Sequence, residues 1–540
     1  MNFPSPPPSP QRGEGKGEGE EMTMNGAELL VQTAIGAGVE VCFANPGTTE
    51  LPIVTALDKM SGIKAFLGLF EGVCTGAADG YGRMLDKPAM VLLHLGPGLA
   101  NGISNLHNAR RAKSPVLNVV GEHATWHRDA DPPLAMDIES LARTVSGWWR
   151  TSKSAPDITV DVSDAVTATR LGQVATLIVP HDYQLAECDA NRMKTPSEPF
   201  DSLDLDAIKT VASRLRASGK VALMLGGRAL RKPGLNAAAR IQKTMGCNLF
   251  TQTFPGYMER GAGLPIVERL PYFPRQATTV ISRYEVVLFA GATEPVAFFG
   301  YPGFGSRILT DEQERITLCT DRQNVVEALE YLADAVGAPS HLTIGDNLLA
   351  GRQQAAIPNG KLTADKASLL IAAIQPENAI IVDESGTTGF LYFAPTAWLP
   401  PYSFMTLTGG ALGQGIPCAT GAAIACPERP VINLEGDGSA MYTVQALWTQ
   451  AREELNVTTL ICSNRSYRIL QVELRHAGVT SYGPNTQALT ELTKPPIEWV
   501  KIAQGFGVPG VTVSTAEDFG RELSKALTEP GPHLIEMLLP

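Results

Sequence analysis

A chain of 540 residues exceeds what one hydrophobic core can hold and predicts about three domains of ordinary size. With 44% hydrophobic and 18% charged residues it has a globular composition, and a net charge of −11 argues against nucleic acid or anionic lipid as a partner. No apolar run is long enough to span a membrane, and eight scattered cysteines without a Cys-x-x-Cys pair point to a reducing cytoplasm.

Residues 1–23 are rich in proline, glycine and charge and read as a disordered tail, with Met24 a natural beginning. Asn25 can cap a helix over "GAELLVQTAIGAG". Strand and helix then alternate. "VEVCFA" is a strand, "NPG" a turn, and "TELPIVTALDKM" a helix with Thr49 as its cap. "IKAFLGLF" is a strand and "EGVCTGAADGYGRM" a small-residue helix. "PAMVLLH" is a strand, "LGPGLANG" a glycine loop, "ISNLHNARRA" a helix and "PVLNVVGEH" a strand. These strands are apolar throughout, as buried parallel strands are, and this first unit closes near "ATLIVPHDY". A second α/β stretch carries the strands "KVALMLGG", "EVVLFAG" and "RITLCT". A third starts near Lys361 with "ASLLIAAIQPENAIIVDES". The expected fold is α/β: three consecutive domains with parallel sheets at 24–190, 200–345 and 361–540, joined through "SEPFDSLD" and "TIGDNLLAGRQQAAIPNG".

One spacing carries chemistry. "VINLE" is a strand that delivers Gly436-Asp437-Gly438, and the strand "TTLICS" delivers Asn464 27 positions after Asp437. Ligands of open parallel sheets bind at such carboxyl ends. Carboxylate and amide oxygens suit a hard cation, and glycines admit a phosphate close to the backbone. Alone, the triplet reads equally as an ordinary turn, and Asn464 as a turn residue.

Gly-Asp-Gly followed after this interval by Asn resembles the cofactor motif of the thiamine diphosphate (ThDP)-dependent enzymes. The resemblance extends over the chain from Asn25, with the order pyrimidine-binding, central and diphosphate-binding domain. It is strongest to the 2-oxo-acid branch, the acetolactate synthases and benzoylformate decarboxylases. It implies ThDP and Mg²⁺, with Asp437, Asn464 and the main-chain oxygen of Ser466 as metal ligands; Arg465 replaces the usual second Asn. It implies that Glu71 shares a proton with the cofactor pyrimidine. Cofactor contacts are implied for Pro46, Gly386, Thr387, Gly410, Leu412, Gly436, Gly438, Ser439, Tyr442 and Tyr467, with Leu412 as the apolar residue that bends the cofactor. In that family the glutamate and the metal site come from different subunits, so a homodimer is the smallest active unit and a homotetramer is expected.

His94 ends the strand "AMVLLH" where benzoylformate decarboxylases carry an active-site histidine. His107, His123 and His127 read as structural, although "GEHATWH" could border the pocket. Thr48 stands where the decarboxylase pattern has Ser, and "EPVAFFGYPG" has Phe299 and Gly300 where that pattern has a second histidine. Lacking that acid, the chain is expected to act as an acetolactate synthase-like carboligase. It would decarboxylate a 2-oxo acid and join the acyl group to a second carbonyl. A benzoylformate decarboxylase-like enzyme releasing aldehyde is the alternative. A flavin-dependent 2-oxo-acid oxidase and an inactive paralogue stay open, though "LGGRALRKPG" is at most a weak glycine loop. Trp499, the last tryptophan, does not match the pocket tryptophan of acetolactate synthases.

Overall fold

The continuously apolar strands are sheet interiors: every residue of Ala89–Leu93, Val174–Pro180 and Val457–Ser463 is buried. Helices on both faces provide that burial, as parallel connections require. The computed structural model describes residues 23–189, 197–342, 348–353 and 355–540. The expected tail at 1–22 and the start of the second linker, 343–347, lie outside the described residues. Thr23, assigned to the tail by composition, is in a strand: Thr23–Asn25 pairs antiparallel with Glu187–Asp189.

The first sheet has six parallel strands in the order Lys64–Leu67, Val41–Asn45, Ala89–Leu93, Val116–Glu122, Val174–Pro180, Trp148–Thr151. The central sheet has five, with Val221–Leu225 in the middle. The last has seven, and Ile380–Glu384, Val431–Gly436 and Val457–Ser463 are consecutive neighbours within it. Its first edge strand, Met258–Arg260, comes from the middle of the chain and pairs antiparallel with Tyr402–Thr406. Among the described residues no helix is long and apolar enough to cross a membrane, and no two cysteines are joined by a disulfide.

Two expectations need correction. "LGPGLANG" is not a loop: it forms the opening turns of an 18-residue helix, Leu95–Ala112, with His94 as its N-cap residue. Pro97 falls in the first turn, where its missing N–H costs nothing. Leu95 enters at φ +54°, a left-handed conformation held by complete burial of its side chain. Thr49 is not a cap either. It lies inside a 3-10 turn, Thr48–Glu50, and its hydroxyl bonds Glu50.

The first and last units meet through the helices Glu71–Leu85 and Gly415–Ala425. Backbones touch there: a Cβ at Gly80 would overlap the Cys418 carbonyl, and one at Gly421 the Ala77 carbonyl. Arg83 ties all three units together. It pairs with Asp79 at 2.6 Å and donates to the carbonyls of Gly256 (3.1 Å) and Thr406 (2.7 Å), with its side chain 1% exposed.

Candidate active site

The first sheet gathers titratable groups at its carboxyl edge. Val41–Asn45 delivers Pro46 to Glu50, Lys64–Leu67 leads to Glu71, Ala89–Leu93 to His94, and Val116–Glu122 to His123. Glu50 is wholly buried. Its carboxylate accepts the Gly47 N–H at 2.9 Å, the Thr49 hydroxyl, and the Nδ1–H of His94 at 2.7 Å. A carboxylate can only accept, so Nδ1 carries hydrogen and Nε2 is left to act outward. Gly47 is required here, because a Cβ would overlap the His94 ring. His123 stands close enough to His94 for their charges to interact, and burial lowers its pKa. Its Nε2 is buried with no hydrogen-bond partner among the described residues. Glu71 is half-buried at its helix N-terminus, and Asn101 Nδ2 donates to its Oε2 at 3.1 Å.

The last sheet gathers the second group. Gly436 pairs with Cys462 across neighbouring strands, which places Asp437 beside Asn464. Asp437 is 3% exposed, and its Oδ2 accepts the Arg465 N–H. Burial pushes its pKa up to about 6, partly offset by backbone N–H groups. Asn464 Oδ1 accepts the Ser466 N–H at 2.9 Å and hydroxyl at 3.0 Å. Arg465, at the position of the expected second Asn, takes φ +54° to make this turn. Gly438 lies against Tyr467, whose ring a Cβ would overlap. The Ser439 hydroxyl is turned inward to Glu435 at 2.8 Å, so a phosphate contact at Ser439 would fall to its backbone. Tyr442 is 52% exposed.

Two glycine positions are open. Gly386, beside half-buried Thr387, has φ +59°, and Gly410 has φ +73°; nothing stands within 4 Å of a Cβ at either. Leu412 is half-buried in the loop after Tyr402–Thr406. Among the described residues no three His, Cys, Asp or Glu side chains converge as a metal cage. Were the Asp437, Asn464 and Ser466 oxygens to hold a cation, they would leave half of an octahedral shell to phosphate and water, the usual manner of Mg²⁺. A buried carboxylate without an ion pair among the described residues and open glycine positions therefore fit a magnesium diphosphate group.

The two groups share one chain without direct bonding: among the described residues no hydrogen bond or ion pair joins Glu71 or His94 to Asp437 or Asn464. Sequence reasoning missed Glu50, Glu384 and Glu435. Glu384 ends the strand Ile380–Glu384 and Glu435 is the penultimate residue of Val431–Gly436; an acid at the buried end of a mostly apolar strand is a usable signal. It also read His107 as structural; its Nε2 contacts the Gly409 carbonyl at 3.2 Å.

Known proteins match this chain over nearly its whole length. Residues 24–141 match the N-terminal TPP binding domain of thiamine pyrophosphate enzymes, and residues 386–537 match the C-terminal TPP binding domain. A Mycobacterium tuberculosis protein, provisionally named acetolactate synthase large subunit IlvX, is 46% identical over 96% of this chain and 99% of its own. Benzoylformate decarboxylase of Pseudomonas aeruginosa is 27% identical over 93% of this chain and 96% of its own. The structure of a Rhodococcus jostii RHA1 thiamine diphosphate-dependent 4-hydroxybenzoylformate decarboxylase superposes with a TM-score of 0.82 at 25% identity. That match covers 96% of this chain and 99% of the other.

Proposed function

Since the chain belongs to the thiamine pyrophosphate enzymes, related to acetolactate synthase and benzoylformate decarboxylase, we propose that it decarboxylates a 2-oxo acid and ligates the acyl group to a second carbonyl. Asp437, Asn464 and the Ser466 carbonyl would hold Mg²⁺. Gly386, Thr387, Gly436, Gly438 and Ser439 would meet the diphosphate, and Pro46, Gly410, Leu412, Tyr442 and Tyr467 the rings. When bound, thiamine diphosphate supplies an electron sink for cleavage beside a carbonyl. Glu71 holds and returns a proton at the pyrimidine, and Asn101 orients its carboxylate. His94 binds the substrate carboxylate or moves a proton through Nε2, its ring fixed by Glu50. Because Glu71 and the Asp437 group do not bond within a chain, a second copy completing the site is part of the proposal, in a dimer or tetramer. Cysteines without a disulfide among the described residues support a cytoplasmic setting.

The observation that carries ligation over aldehyde release is the central loop. Phe298 and Phe299 are exposed there, Gly300 brings no side chain, and the Tyr301 hydroxyl is committed to Glu473 at 3.0 Å. With His94 the acid at the first sheet's edge, protonation is slow and a second carbonyl competes. The reading with aldehyde as product rests on the His94–Glu50 pair. The test supplies cofactor-stripped protein with ThDP, Mg²⁺ and a panel of 2-oxo acids, each alone and with an acceptor aldehyde, followed by mass spectrometry. Carbon dioxide and acyloin should appear only with both cofactors; no carbon dioxide from any 2-oxo acid would refute the proposal.

A further inference from the structure

The Thr408–Gln414 loop, which carries Leu412, has no secondary structure of its own, yet both backbone groups of Ala411 and of Gly413, the residues flanking Leu412, are engaged. Asn108 is fully buried in the Leu95–Ala112 helix and grips Ala411 at both ends. Its Nδ2 donates to the Ala411 carbonyl at 2.8 Å, and its Oδ1 accepts the Ala411 N–H at 3.3 Å. Its own carbonyl accepts the Thr408 hydroxyl at 2.7 Å. Asn105, one turn earlier and also fully buried, donates to the Gly413 carbonyl at 3.1 Å, which Thr443 bonds as well. The loop approaches this helix so closely that a Cβ at Gly409 would lie 2.5 Å from Asn108 Oδ1.

The other side of the loop is held by Glu384, at the end of Ile380–Glu384. Its carboxylate accepts the Gly413 N–H at 2.7 Å and the Gly415 N–H, the first of the Gly415–Ala425 helix. Leu412 thus sits between an amide clamp from one domain and a carboxylate clamp from another.

We propose that Asn108 and Glu384 are positioning residues that fix the depth of Leu412 in the cofactor site; this rests on the ThDP reading above. The same helix carries His94 at its start and Asn101 on Glu71. With a second copy completing each site, this rod ties Glu71 and His94 of one site to Leu412 of the other. Asn108→Leu keeps the volume and removes both bonds to Ala411. Hydrogen–deuterium exchange of the peptide covering residues 406–416 in the cofactor-free, full-length protein should speed up at least tenfold, while distant peptides stay unchanged. A loop displaced by about 1 Å should lower kcat on the order of 10²-fold with a much smaller change in substrate KM. Unchanged exchange in the loop would overturn the clamp. Faster exchange with unchanged kcat and cofactor affinity would overturn the placement of Leu412 in the site while leaving cofactor-dependent decarboxylation intact. If Asn108→Leu does not fold, Thr408→Val removes the hydroxyl's bonds to the Asn108 carbonyl and to Arg83 and is judged by the same two readouts. Glu384→Gln turns an amide N–H₂ toward backbone donors and should loosen the same peptide.

Discussion

Asp437 is a carboxylate kept in a place that penalises its charge. Without a cation, burial holds its pKa near 6; with one, the charge is compensated. Asp437→Ala should therefore cost the protein a metal ligand without costing it the fold. Titration at limiting Mg²⁺ should show ThDP affinity at least roughly tenfold weaker, about 1.4 kcal/mol. The ligand-free thermal midpoint should hold or rise. Glu71→Gln is the complementary change. It keeps shape and the Asn101 contact but cannot cycle a proton, so turnover should fall ~10²–10⁴-fold at nearly unchanged cofactor affinity. Equal turnover in variant and parent would remove Glu71 from the role. Asp437 and Asn464 were legible because a strand end is a strand end in sequence and in space. Glu50 was not, since an acid opening a helix reads as solvent-facing. Only the fold brings Gly47, His94 and the Gly121 backbone around it.

At the scale of elements, strand positions were readable from unbroken apolar runs, and most strands fall where those runs do. The Leu95–Ala112 helix was not readable at its start, because three glycines and a proline in eight residues imitate a loop. Small residues are needed there for contact: a Cβ at Gly96 would overlap Met136, and one at Gly102 would crowd Thr75. The Ile380–Glu384 strand has its own pH signature. Burial raises the Glu384 carboxyl to about 7, against bonds from Gly415 and Gly413 that pull it down. The folded chain therefore keeps a proton that the unfolded chain releases near its ordinary value of 4.5. Folded protein binds more protons between these limits, so stability from this group falls as pH rises from about 4.5 to 7. The thermal midpoint of ligand-free parent should decline across that window, and Glu384→Gln should flatten the decline. An unchanged slope would mean the proton is held elsewhere.

At the scale of the whole molecule, Arg83 bonds Asp79, Gly256, Thr406 and Thr408 and so reaches all three units. Arg83→Met fills the volume but strands the Asp79 carboxylate, whose side chain is 0% exposed. Breaking a buried pair in this way costs about 3–5 kcal/mol. The denaturation midpoint should drop accordingly, and Asp79→Asn in the same chain should recover part of the loss. The three-unit plan was legible from strand–helix rhythm; the antiparallel edge strand Met258–Arg260 was not, since three residues carry no periodicity.

The most direct measurement is the aldehyde-to-acyloin ratio from one 2-oxo acid at fixed concentration. It is taken for the parent, Gly300→His and His94→Ala. Nothing stands within 4 Å of a Cβ at Gly300, so a side chain fits. Protonation and ligation compete for one intermediate. The parent should give acyloin as a major product, Gly300→His should shift the ratio toward aldehyde, and His94→Ala should depress aldehyde formation more than cofactor binding. A parent that yields aldehyde alone, at a rate His94→Ala leaves untouched, would contradict both the ligation and the role of His94.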